Sequence, residues 1–489
     1  MTKLSNTTLA ALPEGVSRPT YDRAKASIGI VHFGVGGFHR AHQAMYLDQL
    51  MNRGEALDWG ICGVGVMPGD MRIRDALKSQ DCLYSLMVKN PHGRYEASVI
   101  GSILDFKYAP DDPEAVIELM ASKGVRIVSL TITEGGYNFH HVTGKFNLDN
   151  PDVVKELADG ATPITVFGYV TEALRRRRER GIAPFTVSSC DNIQSNGDVA
   201  KEMVCAFAKA KDAELGAWID SNVAFPSAMV DRITPVTAPE DITELEKRFG
   251  IVDAWPVVCE PFTQWVVEDH FPQGRPAYEK VGVQMVEDVV PYELMKLRLL
   301  NASHQALTYF GYLAGRRYAH EVAGDPIFAT FLLNYMEIEA TPTLSPVPGI
   351  DLDAYRHTLI ERFSNPEVRD TLARLCAESS DRIPKWLLPV VHAELEKGGD
   401  ISRSAAVVAS WARYAEGKDE QGAPIEIVDR LKDELMEIAS HNNDNAIAFI
   451  ENREVFGDLV DQPRFVSAYR QALDSLHSVG ALETVRRFS

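Results

Sequence analysis

The sequence predicts an α/β protein in two parts: a domain of alternating strands and helices over residues 1–285, and a mostly α-helical domain over 286–489. Three observations carry this. Apolar, β-branched runs alternate with amphipathic helical ones through the first part, the first such run leads straight into a glycine cluster, and from Tyr292 onward the pattern is almost wholly helical. A chain of 489 residues also exceeds the size at which one hydrophobic core usually divides.

Composition narrows the class of partner. An apolar fraction of 45% and a charged fraction of 24% are those of an ordinary globular protein. The net charge of −19 argues against nucleic acid or an anionic membrane as partner, since both need a basic surface. The one basic run, Arg175 to Arg178, is flanked by acids at helical spacing and reads as a solvated helix face. Six scattered cysteines without a C-x-x-C pair suit reduced, buried thiols, and the thirteen histidines show no helical metal-ligand spacing. The N-terminal residues lack a secretory pattern and no run of eighteen apolar residues occurs, so a cytoplasmic protein is expected.

The first strand, Ile28–Phe33, runs into Gly34-Val-Gly36-Gly37-Phe38-His39-Arg40-Ala-His42, the pattern of a turn opening a helix. A pyrophosphate wants glycine there, because the backbone must turn tightly and come close to the ligand while N–H groups at the helix start meet its charge. The third position of G-x-G-x-x-G is His39, so two readings stand: a dinucleotide cradle, or a tight turn with no ligand. A second strand over 59–66 leads to Pro68-Gly69-Asp70. Asp70 can bond an adenosine ribose, which favours NAD over NADP, or cap the next helix, and both can hold. Arg72 and Arg74 lie close by.

A strand is expected over 97–104, a helix over 112–122, and a strand over 126–133 that ends in Glu134-Gly135-Gly136-Tyr137. Ligands of open α/β sheets bind outside the carboxyl ends of strands, which puts Thr133 and Glu134 where a nicotinamide would approach; a Gly-Gly turn is the plain alternative. A helix over 166–181 and a strand over 183–189 deliver Cys190-Asp191-Asn192, where Asn192 is a donor at the mouth of a site or a turn residue. A helix over 198–216 and extended pieces over 223–235 and 255–261 follow, with Asp231-Arg232 read as a buried or interfacial pair.

In the second part, helices are expected over 328–340, 353–364, 367–377, 386–396 and 402–416, without a fixed repeat, and Asp381-Arg382-Ile-Pro384-Lys385-Trp386 interrupts two of them. The stretch 291–307 sets Glu293, Lys296, Asn301 and His304 into an apolar helical pattern. At ~100° per residue these four share an arc of roughly 140°, and Lys296 to His304 spans ~12 Å of axis. One mixed face of this kind can meet a sugar-sized polar molecule, or can be the solvated edge of a packed helix.

Taken together, Gly34 to His42, Ser129 to Tyr137, Cys190-Asp191-Asn192, Asp231-Arg-Ile-Thr234 and Lys296-x4-Asn301-x2-His304 resemble the polyol-specific long-chain dehydrogenases, on their mannitol 2-dehydrogenase branch. The match is collinear from about residue 25 to 480. The resemblance implies an extended Rossmann-type domain, a helical substrate domain, and metal-independent hydride transfer between NAD and a polyol or its ketose. Lys296 matches the family's general base, Asn192 and Asn301 the amides that stabilise an alkoxide, and Glu293 an acid that helps proton exchange. His304 and Asp231 match contacts to substrate hydroxyls, and Arg374 a further one. A lysine in water titrates near ~10.4, so burial must lower it for base catalysis, which an ionised Glu293 would oppose. The resemblance also implies NAD contacts from Gly34, Gly36, Gly37, Phe38, His39, Arg40, Asp70, Thr133 and Glu134, and it permits a monomer, with a small homo-oligomer as the alternative.

Two departures bear on specificity. Arg382 stands where a family lysine is expected, a planar fork in place of a point charge, and Gly69 replaces an acid that helps discourage NADP. The implied reaction is D-mannitol to D-fructose, with D-arabinitol or D-glucitol as further substrates. A uronate reductase of the same family, favoured by Arg374, Arg382 and Lys385, and a non-catalytic NAD-sensing protein are the alternatives.

Overall fold

The structure, a computed structural model, describes residues 1–140 and 144–489. The chain forms two compact units, Met1–Val289 and Val290–Ser489. In the first, β1 (Ile28–Phe33), β2 (Gly60–Gly65), β3 (Tyr84–Lys89), β4 (Tyr95–Ile100), β5 (Ile103–Tyr108), β6 (Ile127–Leu130) and β7 (Thr186–Ser189) precede β8 (Ala228–Asp231), β9 (Val257–Cys259), β10 (Gln264–Glu268) and β11 (Gln284–Val286). The main sheet has the order β5-β2-β1-β6-β7, with every pair parallel. Its central strands are continuous buried runs, not alternating ones, because helices cover both faces. Helices Pro113–Ala121, Val166–Glu179 and Asn196–Lys211 pack one face, and Gln43–Asn52 with Trp265 and Tyr278 pack the other. The strand order reverses beside β1, so the crevice of such a sheet opens at the carboxyl ends of β1 and β6.

Several elements differ from expectation. The strand expected over 97–104 is two strands in two sheets: β4 pairs antiparallel with β3, while β5 joins the main sheet. The chain turns at Gly101 and Ser102, where Gly101 N–H donates to Asp48 Oδ1 at 2.8 Å and Ser102 Oγ to Ala44 O at 2.6 Å. A Cβ on Gly101 would meet Pro19 Cγ at 2.7 Å. Strand β3 escaped notice altogether and forms a small sheet with β4 and β9. The helix expected over 198–216 breaks at Asp212, whose carboxylate caps Ala213–Asn222 by accepting the Glu214 and Leu215 amides at 2.9 and 3.0 Å. Within the basic run, Arg176 pairs with Glu114, Glu118 and Glu172. Arg177, however, is 1% exposed and donates to the carbonyls of Met120, Ser122, Val125 and Ala183. A guanidinium is a fork of five donors, and here backbone ends that no helix or strand would otherwise satisfy take them up.

Regular structure in the second unit is helical. Its longest helices are Pro463–Val479 and Ser402–Ala415, which pack together. Two segments are wider than α-helices. Lys296–Asn301 and Tyr335–Ala340 are π-helices, the first between Val290–Met295 and Ala302–Leu313, the second closing Pro326–Asn334. The angles expected for 291–307 from a regular α-helix therefore do not hold across Lys296–Asn301. Asp381 to Trp386 is likewise no interruption. It lies inside the helix Ser379–Trp386, with Pro384 within the helix and the end two residues beyond it.

Candidate active site

In the first unit the ends of three parallel strands are tied together. Gly34 follows β1 in the left-handed region, φ 88°, and a Cβ there would lie 2.0 Å from the Thr131 carbonyl oxygen after β6. Only glycine lets the two loops approach so closely. Thr131 Oγ1 donates to Gly34 O at 2.7 Å and also meets His32 Nε2 at 2.9 Å, while His32 Nδ1 shares a hydrogen bond with Ser129 Oγ at 2.7 Å. His32 and His39 stack with ring centroids 3.4 Å apart. Burial pushes His32 down to about 3 and His39 well below the ordinary imidazole value, so both rings are neutral under the glycine loop.

Asp191 joins β7 to β6. Its carboxylate accepts the amides of Thr133 at 2.8 Å and Ile132 at 3.1 Å and the hydroxyl of Tyr137 at 2.8 Å. Thr133, expected at the end of a strand over 126–133, instead begins a short helical turn, Thr133–Gly136, three residues beyond the end of β6. Its φ is 63°, unusual for a β-branched residue and held by the two bonds to Asp191. Asn196 ties Asp191 O, at 2.9 Å, to Ala228 O, at 2.7 Å, which positions β8 and hence Asp231 at its end. Thr133, Glu134 and Asn192 are exposed around this knot, and Asp231 is buried.

The cofactor contacts implied by the resemblance divide into two groups. Gly36 is exposed, and Gly37 and Phe38 are half-buried; a Cβ on Gly36 would meet nothing nearer than 3.9 Å. That open space above bare backbone is what a pyrophosphate needs, so the loop fits an NAD-type dinucleotide. His39 and Arg40 turn inward, 1% and 2% exposed. Arg40 donates to Trp255 O at 2.5 Å and Gly36 O at 3.4 Å, so its side chain holds the loop and leaves only main chain for a ligand. Asp70 is the first residue of the helix Asp70–Lys78, whose N-cap is Gly69, so it does not fill the capping position. Its Oδ2 accepts the Val66 and Met67 amides, both at 2.9 Å, and shapes the loop after β2. A separate cavity of about 770 Å³, lined by Tyr21, Arg23, Lys78 and Asp105, lies toward the amino ends of β1 and β5 and contains none of these residues.

In the second unit Glu293, Lys296, Asn301 and His304 lie along Val290–Leu313 and are all buried, with Lys296 and His304 at 7% and 8% exposure. Lys296 opens the π-helix and Asn301 closes it. The wider turn of a π-helix brings residues five apart closer to one face than an α-helix does, where they would lie ~140° apart. The His304 ring packs against Phe363 at 4.4 Å. Gln305 and Thr308 donate to Leu375 O and Leu372 O, both at 3.2 Å, and so fasten the short helix Leu372–Cys376 beside His304. Arg374 on that helix is exposed and paired with Asp370 through two bonds at 2.7 and 2.6 Å. Arg382 donates to Arg374 O and Leu375 O at 3.1 Å each. Its fork thus completes a helix end, with at most part of its surface left for a substrate. Sequence reasoning passed over Asp191 and Asn196; the only signal was a carboxylate and an amide flanking Asn192. Among the described residues, no group of three or more His, Cys, Asp or Glu is placed to hold a metal ion, and no helix is long and apolar enough to cross a membrane.

A parallel sheet with this strand order, an open glycine loop at its reversal point and a helical second unit define a Rossmann-type protein with an appended helical domain. The mannitol dehydrogenase Rossmann domain matches residues 28–280, and the mannitol dehydrogenase C-terminal domain matches 288–477. The chain belongs to the mannitol dehydrogenase family. It is similar to the mannitol 2-dehydrogenases of Phaeosphaeria nodorum, 45% identical over 100% of this chain and 86% of the relative, and Aspergillus fumigatus, 45% identical over 97% and 95%. The Pseudomonas fluorescens mannitol 2-dehydrogenase, solved as a ternary complex with NAD and D-mannitol, is 46% identical with a TM-score of 0.89 over 99% of each chain. A D-sorbitol dehydrogenase solved in substrate-free form is 38% identical with a TM-score of 0.93 over 99% of this chain and 100% of its own.

Proposed function

We propose that this protein is an NAD-dependent mannitol 2-dehydrogenase that interconverts D-mannitol and D-fructose without a metal, acting in the cytoplasm as a monomer. The observation that carries the proposal is the 46% identity, over 99% of both chains, to an enzyme solved with NAD and D-mannitol. Residues 1–285 hold the cofactor and residues 286–489 the polyol. Gly34, Gly36, Gly37 and Phe38 cradle the pyrophosphate, Asp70 faces the ribose, and Thr133 and Glu134 border the nicotinamide. NAD, when bound, supplies the hydride acceptor.

The chain's own residues manage the proton and the oxygen. Lys296 removes the proton of the secondary hydroxyl, and Glu293 passes it toward water. Asn192 and Asn301 donate hydrogen bonds to the developing alkoxide; fixed donors of this kind lower a barrier by several kcal/mol because they need no reorganisation. His304 and Asp231 orient the neighbouring hydroxyls, with Arg374 and Arg382 at the far end. Similarity to a D-sorbitol dehydrogenase across the whole chain favours D-glucitol as a second substrate.

A panel of NADH and NADPH oxidation assays with fructose, xylulose, fructuronate and tagaturonate tests the reading. Turnover with NADH and fructose is expected. Selective turnover of the uronates would replace it with a uronate reductase, and NADH binding without turnover of any substrate would leave only a nucleotide sensor. Dialysis against a chelator is expected to leave kcat unchanged, and a loss restored by zinc would overturn the metal-free mechanism.

A further inference from the structure

The two π-helices of the second unit pack against each other and are joined by a hydrogen bond. In an α-helix the Ala302 amide would bond Arg298 O, four residues back; here it bonds Leu297 O, five back. Arg298 O is left without its α-helical donor at the centre of the segment that carries Lys296 and Asn301. The hydroxyl of Tyr335, the first residue of the other π-helix, donates to it at 3.1 Å. Tyr335 is 0% exposed, so its hydroxyl has a main-chain partner inside the unit and none in solvent. The link is reciprocal, because Arg298 Nη1 donates to Thr343 O at 2.7 Å just beyond the second π-helix.

The second π-helix is itself anchored. Glu339, 0% exposed, accepts the amides of Arg403 at 2.7 Å and Ser404 at 2.8 Å and the Ser404 hydroxyl at 2.5 Å, capping the helix Ser402–Ala415 from another segment. Tyr335 and Glu339 lie in the same π-helix, Tyr335–Ala340, so the helix Ser402–Ala415, the second π-helix and the first form one chain of contacts.

We infer that Tyr335 is a positioning residue: its hydroxyl takes the place of the Ala302 amide at Arg298 O and holds the π register that sets Lys296 relative to Asn301. This rests on the reading of Lys296 as the base and adds what keeps it in place. Without the hydroxyl, the helix can relax toward α geometry, in which the Ala302 amide recovers Arg298 O and Lys296 turns away from Asn301.

The test is steady-state kinetics of Tyr335→Phe with mannitol and NAD, alone and in a Lys296→Ala background. Expected are a fall in kcat of about 10- to 100-fold, since small misplacements at a reacting centre cost this much, and an unchanged KM for NAD. In the Lys296→Ala background the same substitution should add little, because both act through one group. Wild-type kcat in Tyr335→Phe, or a kcat loss of the same size in both backgrounds, would overturn the inference. Should Tyr335→Phe fail to fold, Arg298→Met removes the reciprocal bond and should lower kcat in the same direction; wild-type kinetics there would overturn it equally. Near-normal turnover of Lys296→Ala by itself would sink the base assignment and this inference with it, whereas a dead Lys296→Ala beside a normal Tyr335→Phe would sink the positioning role alone.

Discussion

The carboxylate of Asp191 holds Thr133 in a left-handed backbone conformation, accepting its amide at 2.8 Å and that of Ile132 at 3.1 Å. Burial raises the Asp191 carboxyl above its ordinary value, so these donors, with Tyr137, are what keep the group compatible with its surroundings. Asp191→Ala removes the acceptor of the Thr133 and Ile132 amides and leaves the Tyr137 hydroxyl only Ser189 Oγ, at 2.6 Å, so it should cost ~2 kcal/mol in urea unfolding. The KM for NAD should rise more than the KM for mannitol, because the strand-end loop of the first unit loses its shape. Equal stability of variant and wild type would contradict this.

Gly34→Ala probes the same loop from the other side. The new Cβ would fall 2.0 Å from Thr131 O at a φ of 88°, so either β1's turn or the Thr131 loop must move. A loss of at least about 2 kcal/mol of stability is expected, with a KM for NAD raised roughly tenfold. Calorimetry and initial-rate kinetics on one preparation decide it.

Lys296→Ala should lower kcat by at least about 100-fold, the usual contribution of a positioned general base. NADH binding, followed by fluorescence titration, should be unaffected. Loss of NADH binding in step with kcat would mean that Lys296 supports the fold of the site and not the proton transfer.

Gly69→Asp should sharpen the choice of cofactor. A Cβ at Gly69 meets nothing within 4 Å, and the residue is the N-cap of Asp70–Lys78, where aspartate is favourable. A second carboxylate beside Asp70 should raise the preference for NAD over NADP by about tenfold, through repulsion of a 2′-phosphate. The ratio of kcat/KM values for the two cofactors measures it.

The stacked histidines give a pH dependence of known sign. Above the unfolded value near 6.5, neither state holds the His32 proton; below it the unfolded chain takes up a proton that the folded protein, with His32 at about 3, refuses. Stability from this group is therefore full above pH 6.5 and is lost as pH falls toward 3. Asp48 and Glu339, raised by burial to about 6 and about 7, act in the opposite sense over part of the same range, so the comparison belongs between variants. The stability advantage of wild type over His32→Gln should shrink by about 1.4 kcal/mol per pH unit below 6.5.

Much of this protein is legible in its sequence because the signals are local. The run Ile28–Phe33 into Gly34 is a strand, a left-handed glycine and an open loop, each set by residues within ten positions of one another. What escaped depends on distant partners. No residue between Lys296 and Asn301 announces a π-helix; Arg298 O finds its donor in Tyr335, 37 positions away. Arg177 could not be told from Arg176 within a run of four arginines, since the difference is that one reaches Glu114 and the other reaches carbonyls of three separate segments. The break at Gly101 was hidden because the flanking residues suit a strand on either side, and only Asp48 and Ala44 show where the chain turns.

Arg177 gathers the end of the helix Pro113–Ala121, the approach to β6 and the approach to β7 onto one guanidinium. These three segments cannot open one at a time without stranding a buried cation. They constitute a single cooperative element, and amide hydrogen exchange across β6 and β7 should proceed at one rate, that of the slowest opening in the first unit. The loops carrying Thr133 and Asn192, which begin where those strands stop, inherit a rigid base from a residue at the opposite end of the sheet.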